Sequence, residues 1–183
     1  MDARKFYSDI REATYQAAYD HCCKLWPDLV GRLRLQEIDF QATQLINDIW
    51  QQTFIQGQYA LTAKGWKATS ERFKKLHHNR IDLAVWCDDQ LCAVMLGKPS
   101  RKKLVLSIHY LDGDRDDGPL SGRRAEICTV TAELYGKALE VKYVALRNPL
   151  IGIKQLYETL GYRSDAIFGA SRDDMYKRLI ENL

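Results

Sequence analysis

Hydrophobic side chains in residues 2–25 recur at helical spacing, with Phe6, Ile10 and Cys22 on one face. This spacing predicts an amphipathic helix that buries a single apolar stripe. The helix is expected to end at Trp26, because a residue that precedes proline disfavours the helical conformation.

Two more helices are predicted before residue 80. Asp39 has the side chain of a helix N-cap, and an apolar periodicity follows it over residues 40–59. A shorter helical pattern over residues 66–77 ends in basic side chains, which suit the negative end of a helix dipole. Residues 33–35 fit either a short strand or a connector. These segments together predict a helical N-terminal part, residues 1–80.

From residue 81 the pattern changes to runs of apolar and β-branched side chains, which are typical of buried strands. Residues 81–87 and 90–96 predict an antiparallel hairpin that turns at Asp88-Asp89. A basic loop over residues 97–103 then leads to a third strand, predicted over residues 104–111.

Helical and strand patterns then alternate to the end of the chain. Helices are predicted over residues 125–139 and 152–160, a strand over residues 141–146, and two short closing strands over residues 167–168 and 174–179. Gly161 is expected to cap the second of these helices, because glycine adopts the left-handed conformation without a steric penalty.

The composition is that of a single globular domain, residues 1–183. Hydrophobic residues make up 46% of the chain, and the formal net charge is +3. No apolar run approaches the length of a membrane span and the polar start does not resemble a signal peptide, so we expect a cytoplasmic protein without a membrane partner. Five cysteines that include a vicinal pair predict buried thiols rather than a disulfide framework. The mild positive charge permits an anionic ligand, and we do not expect nucleic acid as a partner.

The loop that precedes residue 125 joins a predicted strand to a helix N-terminus, where backbone amides favour an anion. Two registers for that anion stay open. One uses Arg115 and Gly118, with Leu120 two residues later, and the other uses the run Leu120-Ser121-Gly122-Arg123-Arg124. The second offers a flexible glycine, a hydroxyl group and two guanidinium groups. The nearby aspartates do not form a calcium loop, because the required glycine and the terminal glutamate are both missing.

Asn148-Pro149, followed by Leu156-Tyr157-Glu158-Thr159-Leu160-Gly161-Tyr162, resembles the end of the GNAT-type N-acetyltransferase superfamily. The resemblance covers about residues 81–183. It implies a mixed α/β (α+β) fold, with a mostly antiparallel sheet, a splayed parallel pair of central strands and helices on both faces. Residues 1–80 then extend this core, and they could pack on the sheet, form a lid or make a partner surface.

The resemblance implies an acyl-CoA-dependent N-acyltransferase. An acetyl group would move from acetyl-CoA, the co-substrate, to an amine acceptor by direct attack. The resemblance implies that Tyr157 would protonate the departing thiolate. His109 would accept a proton from the amine, directly or through water, because an imidazole can take up a proton at pH 7. A core tyrosine and a structural histidine are the alternatives at these two positions. Ser107, Tyr110 and Asp112 are the fallback bases or water-holding groups.

The resemblance and the physical reading of the anion loop together indicate which residues would hold the co-substrate. They are the backbone of Leu111, the loop residues Gly118, Leu120, Ser121, Gly122, Arg123 and Arg124, and Asn148 at the end of a strand. No metal ligand set is expected. The partners would be acetyl-CoA and an unidentified amine acceptor, either a small molecule or a protein, and a homodimer stays open. The alternative is a catalytically inactive module that binds acyl-CoA, a protein or a nucleic acid.

Overall fold

The computed structural model describes residues 2–46, 65–113, 118–164 and 173–179. In chain order, its elements are α1 (Ala3–Leu25), β1 (Leu33–Gln36), α2 (Phe40–Leu45), α3 (Gly65–Leu76), β2 (Ile81–Cys87), β3 (Gln90–Pro99), β4 (Val105–Gly113), α4 (Arg124–Ala138), β5 (Tyr143–Leu146), α5 (Lys154–Thr159) and β6 (Met175–Arg178). Short 3-10 turns at Pro27–Leu29 and Ile151–Ile153 precede β1 and α5.

The six strands form one sheet in which every strand lies beside its neighbour in the chain. All adjacent pairs are antiparallel except β4 and β5, which are parallel. This arrangement confirms the predicted mixed sheet with a parallel central pair. Residues 33–36, which fitted a strand or a connector, form the edge strand β1, so the N-terminal third contributes to the sheet as well as to the helices.

Helices cover both faces of the sheet, as predicted. Leu83 and Val85 of β2 belong to the apolar cluster beneath α1 and α4. Ala84 and Trp86 point the other way, into the cluster beneath α2 and α3. Every residue of β2 is buried, which explains why all its side chains except Asp82 are apolar. Burial of each large apolar side chain contributes about 1.5–3 kcal/mol to folding.

Local signals fix several helix ends. The Asp39 carboxylate accepts a hydrogen bond from the Ala42 amide at 2.7 Å, which confirms the predicted N-cap. Gly161 has a φ of +89°. The Tyr162 amide bonds to the Tyr157 carbonyl and the Gly161 amide to the Glu158 carbonyl, each at 3.0 Å, which is a Schellman cap.

Some expectations differ from the structure or lie outside it. Strand β3 continues to Pro99, beyond the predicted boundary at residue 96, because Lys98 and Pro99 still pair with β4. The second predicted helix is described only as far as residue 46, and the strand predicted over residues 167–168 lies outside the described residues. All five cysteines are free thiols, and four are buried. No helix in the described ranges is long and apolar enough to cross a membrane.

Candidate active site

The central strands β4 and β5 pair over only part of their length. Their register runs from Val105 opposite Tyr143 to Ile108 opposite Leu146. The Arg147 amide then donates to the Ile108 carbonyl at 3.0 Å. Beyond this point β4 continues to Gly113 beside β3 alone, as far as the described residues extend. Beyond Ile108 the edge of β4 that faced β5 is therefore unpaired within the described residues, and we call the space along this edge the slot.

A β-bulge lies where the slot begins. Ile108 pairs with Gly97 and Tyr110 pairs with Leu96, which leaves His109 as the extra residue of β4. A bulge bends its strand and turns a side chain towards a new direction. The predicted site residue Leu111 lies two residues further along, opposite Met95.

The His109 ring packs on the α3 side of the sheet. Its centroid lies 5.8 Å from that of Phe73, in an edge-on arrangement. Burial, with the positive charges of Lys98 and Arg147 nearby, lowers the pKa of His109 to about 4. The imidazole is therefore neutral at physiological pH.

The start of α4 offers unoccupied amide donors. No side chain caps this helix at Arg123. Within the described ranges, the amides of Gly122, Ala125 and Glu126 donate to no protein acceptor. Gly122 has a φ of +76°, which favours glycine, and it is exposed. A helix N-terminus with free amides carries a partial positive charge and is suited to an anion.

Two of the predicted loop residues, Gly118 and Leu120, have packing roles. Leu120 is fully buried in the cluster beneath α1 and α4, so its side chain anchors the loop rather than filling the anion cradle. A Cβ added to Gly118 would lie 3.0 Å from Gln90 Nε2 and 3.3 Å from Arg124 Nη2. The Arg124 side chain also passes Gly113 at the end of β4. The Arg124 side chain therefore lies close to both Gly113 and Gly118.

Ser121 and Arg123 of the predicted loop form hydrogen bonds within the turn that precedes α4. The Ser121 amide bonds to the Gly118 carbonyl at 2.9 Å, and the Arg123 amide bonds to the Leu120 carbonyl at 3.0 Å. The Arg123 guanidinium pairs with Asp28 at 2.7 Å and lies over the Trp26 ring. This hydrogen bond lowers the pKa of the Asp28 carboxyl group. Arg115, from the other register, lies outside the described residues.

The far side of the slot is built around Asp174, which the sequence did not reveal as a site residue. Asp174 is 1% exposed and lies 2.7 Å from Arg147 Nη1. Its other oxygen accepts the Asn148 amide at 3.0 Å, and the Tyr176 hydroxyl lies 3.3 Å away. Asn148 itself is exposed, with a φ of +45°. Asp174 therefore holds the predicted site residue Asn148 in its strained conformation at the end of β5.

Tyr157 lies in α5 and is 2% exposed, within the cluster that α4 covers. Its ring centroid is 6.2 Å from that of Tyr162, whose hydroxyl donates to Glu133 at 3.2 Å. Burial raises the pKa of Tyr157, so its hydroxyl stays protonated at physiological pH. Tyr157 thus approaches the sheet from the α4 side, whereas His109 packs towards α3.

Comparison with known proteins gives a match at the level of structure. No family model matches the chain, and no curated protein matches it significantly. An acetyltransferase of the GNAT family from Staphylococcus aureus is 11% identical, with a TM-score of 0.58 over 81% of this chain and 99% of that one. An aminoglycoside 6'-N-acetyltransferase complexed with coenzyme A is 13% identical, with a TM-score of 0.58 over 82% and 99%.

A spermidine N-acetyltransferase variant from Vibrio cholerae is similar to the same extent. It is 14% identical, with a TM-score of 0.56 over 81% of this chain and 95% of that one. These alignments extend well beyond residues 81–183, the region of the sequence resemblance. The chain therefore has the fold of the GNAT N-acetyltransferases.

Proposed function

We propose that this protein is an acyl-CoA-dependent N-acyltransferase that moves an acetyl group from acetyl-CoA to an amine. The observation that carries the proposal is the slot between β4 and β5, together with the free amides at the start of α4. An anion bound at the helix and an amide-rich arm lying in the slot would match these two features at once. Coenzyme A has both parts, a pyrophosphate and a pantetheine arm.

The residues at the start of α4 fit the pyrophosphate. The amides of Gly122, Ala125 and Glu126 are unoccupied within the described part of the chain. Arg124 lies along the same loop, where its guanidinium can neutralise a phosphate. Leu120 does not obstruct this cradle, because its side chain is buried in the core. The absence of a Cβ at Gly118 keeps room for Arg124 and Gln90.

The unpaired edge of β4 fits the pantetheine arm. Backbone N–H and C=O groups that lose a neighbouring strand need other partners, and amides of an extended ligand can replace the missing strand. In this arrangement the backbone near Leu111 would bond to the thioester end. Asn148, held by Asp174, would border the opposite wall of the slot.

The proton-transfer groups then contact the ligand from opposite faces of the sheet. Bound acetyl-CoA supplies an electrophilic thioester for direct attack by an amine. Tyr157 is a protonated donor on the α4 side, suited to give its proton to the departing thiolate. His109, on the α3 side, is neutral and accepts a proton from the amine, directly or through water. The positive charges that lower its pKa also favour the uncharged, reactive form of an amine bound beside it.

The test is release of free coenzyme A thiol from acetyl-CoA in the presence of a panel of amines. The panel should include aminoglycosides, polyamines, amino acids and peptide N-termini. The proposal predicts amine-dependent thiol release with stoichiometric formation of an acetylated amine. Failure to bind acetyl-CoA at millimolar concentration would contradict it.

One observation favours a second function, a module that binds acyl-CoA without catalysis. A histidine with a pKa of about 4 is a weaker base than an ordinary histidine, since its protonated form is disfavoured. The binding module predicts acetyl-CoA affinity without thiol release for any amine. The two functions are therefore separated by the same assay, once binding has been measured.

A further inference from the structure

A basic pocket lies between the first turns of α1 and the end of α3. It is at the opposite end of α1 from the free amides at the start of α4. Its volume is about 660 Å³. Six cationic side chains line it: Arg4, Lys5, Arg11, Lys74, Lys75 and Arg80. We refer to these six residues and the space between them as the basic pocket.

The pocket carries an excess of positive charge. Among the described residues of the lining Asp9 is acidic, and Glu37 and Asp82 lie behind it. Six cations therefore face three carboxylates, which leaves three positive charges in excess. Such a concave cationic surface concentrates anions from solution.

The floor of the pocket is fixed by buried ion pairs. Arg11 is 4% exposed and lies 2.5 Å from Glu37 Oε1. Arg80 is 8% exposed, with its Nε 3.2 Å from Asp82 Oδ1. Asp82 is fully buried and also lies 3.3 Å from Lys74 Nζ. This network holds two guanidinium groups in place, so part of the site is preformed.

The rim is formed by cations that the fold does not use. In the part of the chain that the structure describes, the side chains of Arg4, Lys5 and Lys75 form no ion pair or hydrogen bond. Arg4 and Lys5 also occupy the first turn of α1, which contains no acidic residue. Positive charges at a helix N-terminus oppose the helix dipole. These two exposed cations are therefore available to an anionic ligand.

The lining indicates the class of ligand. Among the described residues, the lining adds Ser8, Asp9 and His78 to the six cations and includes no aliphatic residue and no Phe, Tyr or Trp. Recognition would depend on charge and on the exposed guanidinium fork of Arg4, which matches phosphate oxygens. The volume lies in the range of small-molecule sites, about 300–1,000 Å³. We propose that the basic pocket is a second ligand site, which binds a small anion with several phosphate groups.

The site is independent of the proposed acyl-CoA site. Arg123, directly before α4, pairs with Asp28, shortly after α1, so the end of α1 lies beside the start of α4. The basic pocket is at the beginning of α1, roughly 30 Å away along a helix of 23 residues. Coenzyme A bound at α4 should leave the basic pocket accessible.

Titration calorimetry with inorganic tripolyphosphate, at low ionic strength, tests the proposal. The variant is Arg4→Gln/Lys5→Gln/Lys75→Gln, which removes three exposed rim charges and leaves the buried ion pairs intact. The matched control is Lys24→Gln/Lys137→Gln/Lys142→Gln, which removes three exposed charges elsewhere. We expect the rim variant to bind at least tenfold more weakly than wild type, and the control to bind within twofold of it. Melting temperatures should confirm that both variants are folded.

Each of the following results would overturn the proposal. Wild-type protein could fail to bind tripolyphosphate at millimolar concentration, the rim variant could bind as well as wild type, or both variants could lose affinity equally. If saturating coenzyme A displaces tripolyphosphate, the tripolyphosphate binds at the start of α4. That result also contradicts a second site. Rim-dependent binding of polyglutamate or duplex RNA that is tighter than that of tripolyphosphate would overturn the assignment to a small ligand.

Discussion

The Arg147 amide donates to the Ile108 carbonyl at 3.0 Å, and in the described residues this is the last backbone hydrogen bond between β4 and β5. The next residue of β4, His109, is the extra residue of a bulge. The side chain of Arg147 turns to Asp174, which fixes the end of β5. One hydrogen bond, one bulge and one buried carboxylate thus mark where the sheet opens.

The Tyr157 hydroxyl is expected to act in turnover and not in folding. Tyr157→Phe should lower amine-dependent thiol release by about 100-fold, because a positioned proton donor commonly contributes that much. The melting temperature should change little, since the buried ring remains to pack. Turnover and melting should be measured on the same preparation.

Tyr162→Phe is the matched control for Tyr157→Phe. The two rings are neighbours, but the Tyr162 hydroxyl donates to Glu133. Its removal should decrease the free energy of unfolding by about 1 kcal/mol and leave turnover nearly unchanged. Wild-type turnover in Tyr157→Phe would exclude Tyr157 as the acid.

The two adjacent arginines of the α4 loop are expected to differ in their effect on coenzyme A. Arg124→Gln should weaken coenzyme A binding by about tenfold or more, because a charge-assisted hydrogen bond to phosphate is lost. Arg123→Gln should change the affinity by less than about threefold, because its guanidinium is paired with Asp28. Calorimetry of both variants checks this order, and the reverse order would move the pyrophosphate to the other side of the loop.

The Asp174 carboxylate is expected to stabilise the end of β5. Asp174→Asn should lower the free energy of unfolding by roughly 1–3 kcal/mol, since Arg147 loses its partner, although the partial exposure of Arg147 moderates the effect. Asp173→Asn is the control, because that side chain is 71% exposed and its ion pair with Lys154 is long, at 3.8 Å. Equal urea-unfolding midpoints for the two variants would contradict the role of Asp174.

The lowered pKa of His109 predicts how the free energy of unfolding depends on pH. Its pKa is about 4 in the folded protein, against about 6.5 in an unfolded chain, so the unfolded state binds the proton more readily. The stabilisation contributed by the neutral imidazole is fully present above pH 6.5. It is lost as the pH falls towards 4, which lowers the free energy of unfolding by up to about 3 kcal/mol. His109→Gln should therefore flatten this part of the urea-unfolding profile.

The exposed His21 provides the control for this pH profile. His21→Gln should retain the wild-type loss of stability between pH 6.5 and pH 4. If His109→Gln also retains it, the imidazole is not held in its neutral form by its surroundings.

The features that the sequence predicted are those that depend on neighbouring residues. Asp39 at a helix start and Gly161 at a helix end act through backbone groups within a few positions. The apolar run of β2 follows from burial on both faces, and the period of α1 follows from burial on one face. Local chemistry of this kind leaves a local pattern, and the order of strands and helices could be read from it.

The features that were missed depend on contacts between distant parts of the chain. Asp174 meets Asn148 from 26 residues away, and Arg123 meets Asp28 from 95 residues away. A lone aspartate before a short strand gives no sign of such a partner. Leu120 was expected to belong to the anion loop, and only the fold shows that its side chain points into the core.

A crystal structure with coenzyme A tests the central claim most directly. The account predicts that the pyrophosphate bonds to the amides of Gly122, Ala125 and Glu126, with the pantetheine arm between β4 and β5 and its sulfur beside the Tyr157 hydroxyl. Coenzyme A bound elsewhere, with β4 and β5 closed against each other beyond Ile108, would contradict it.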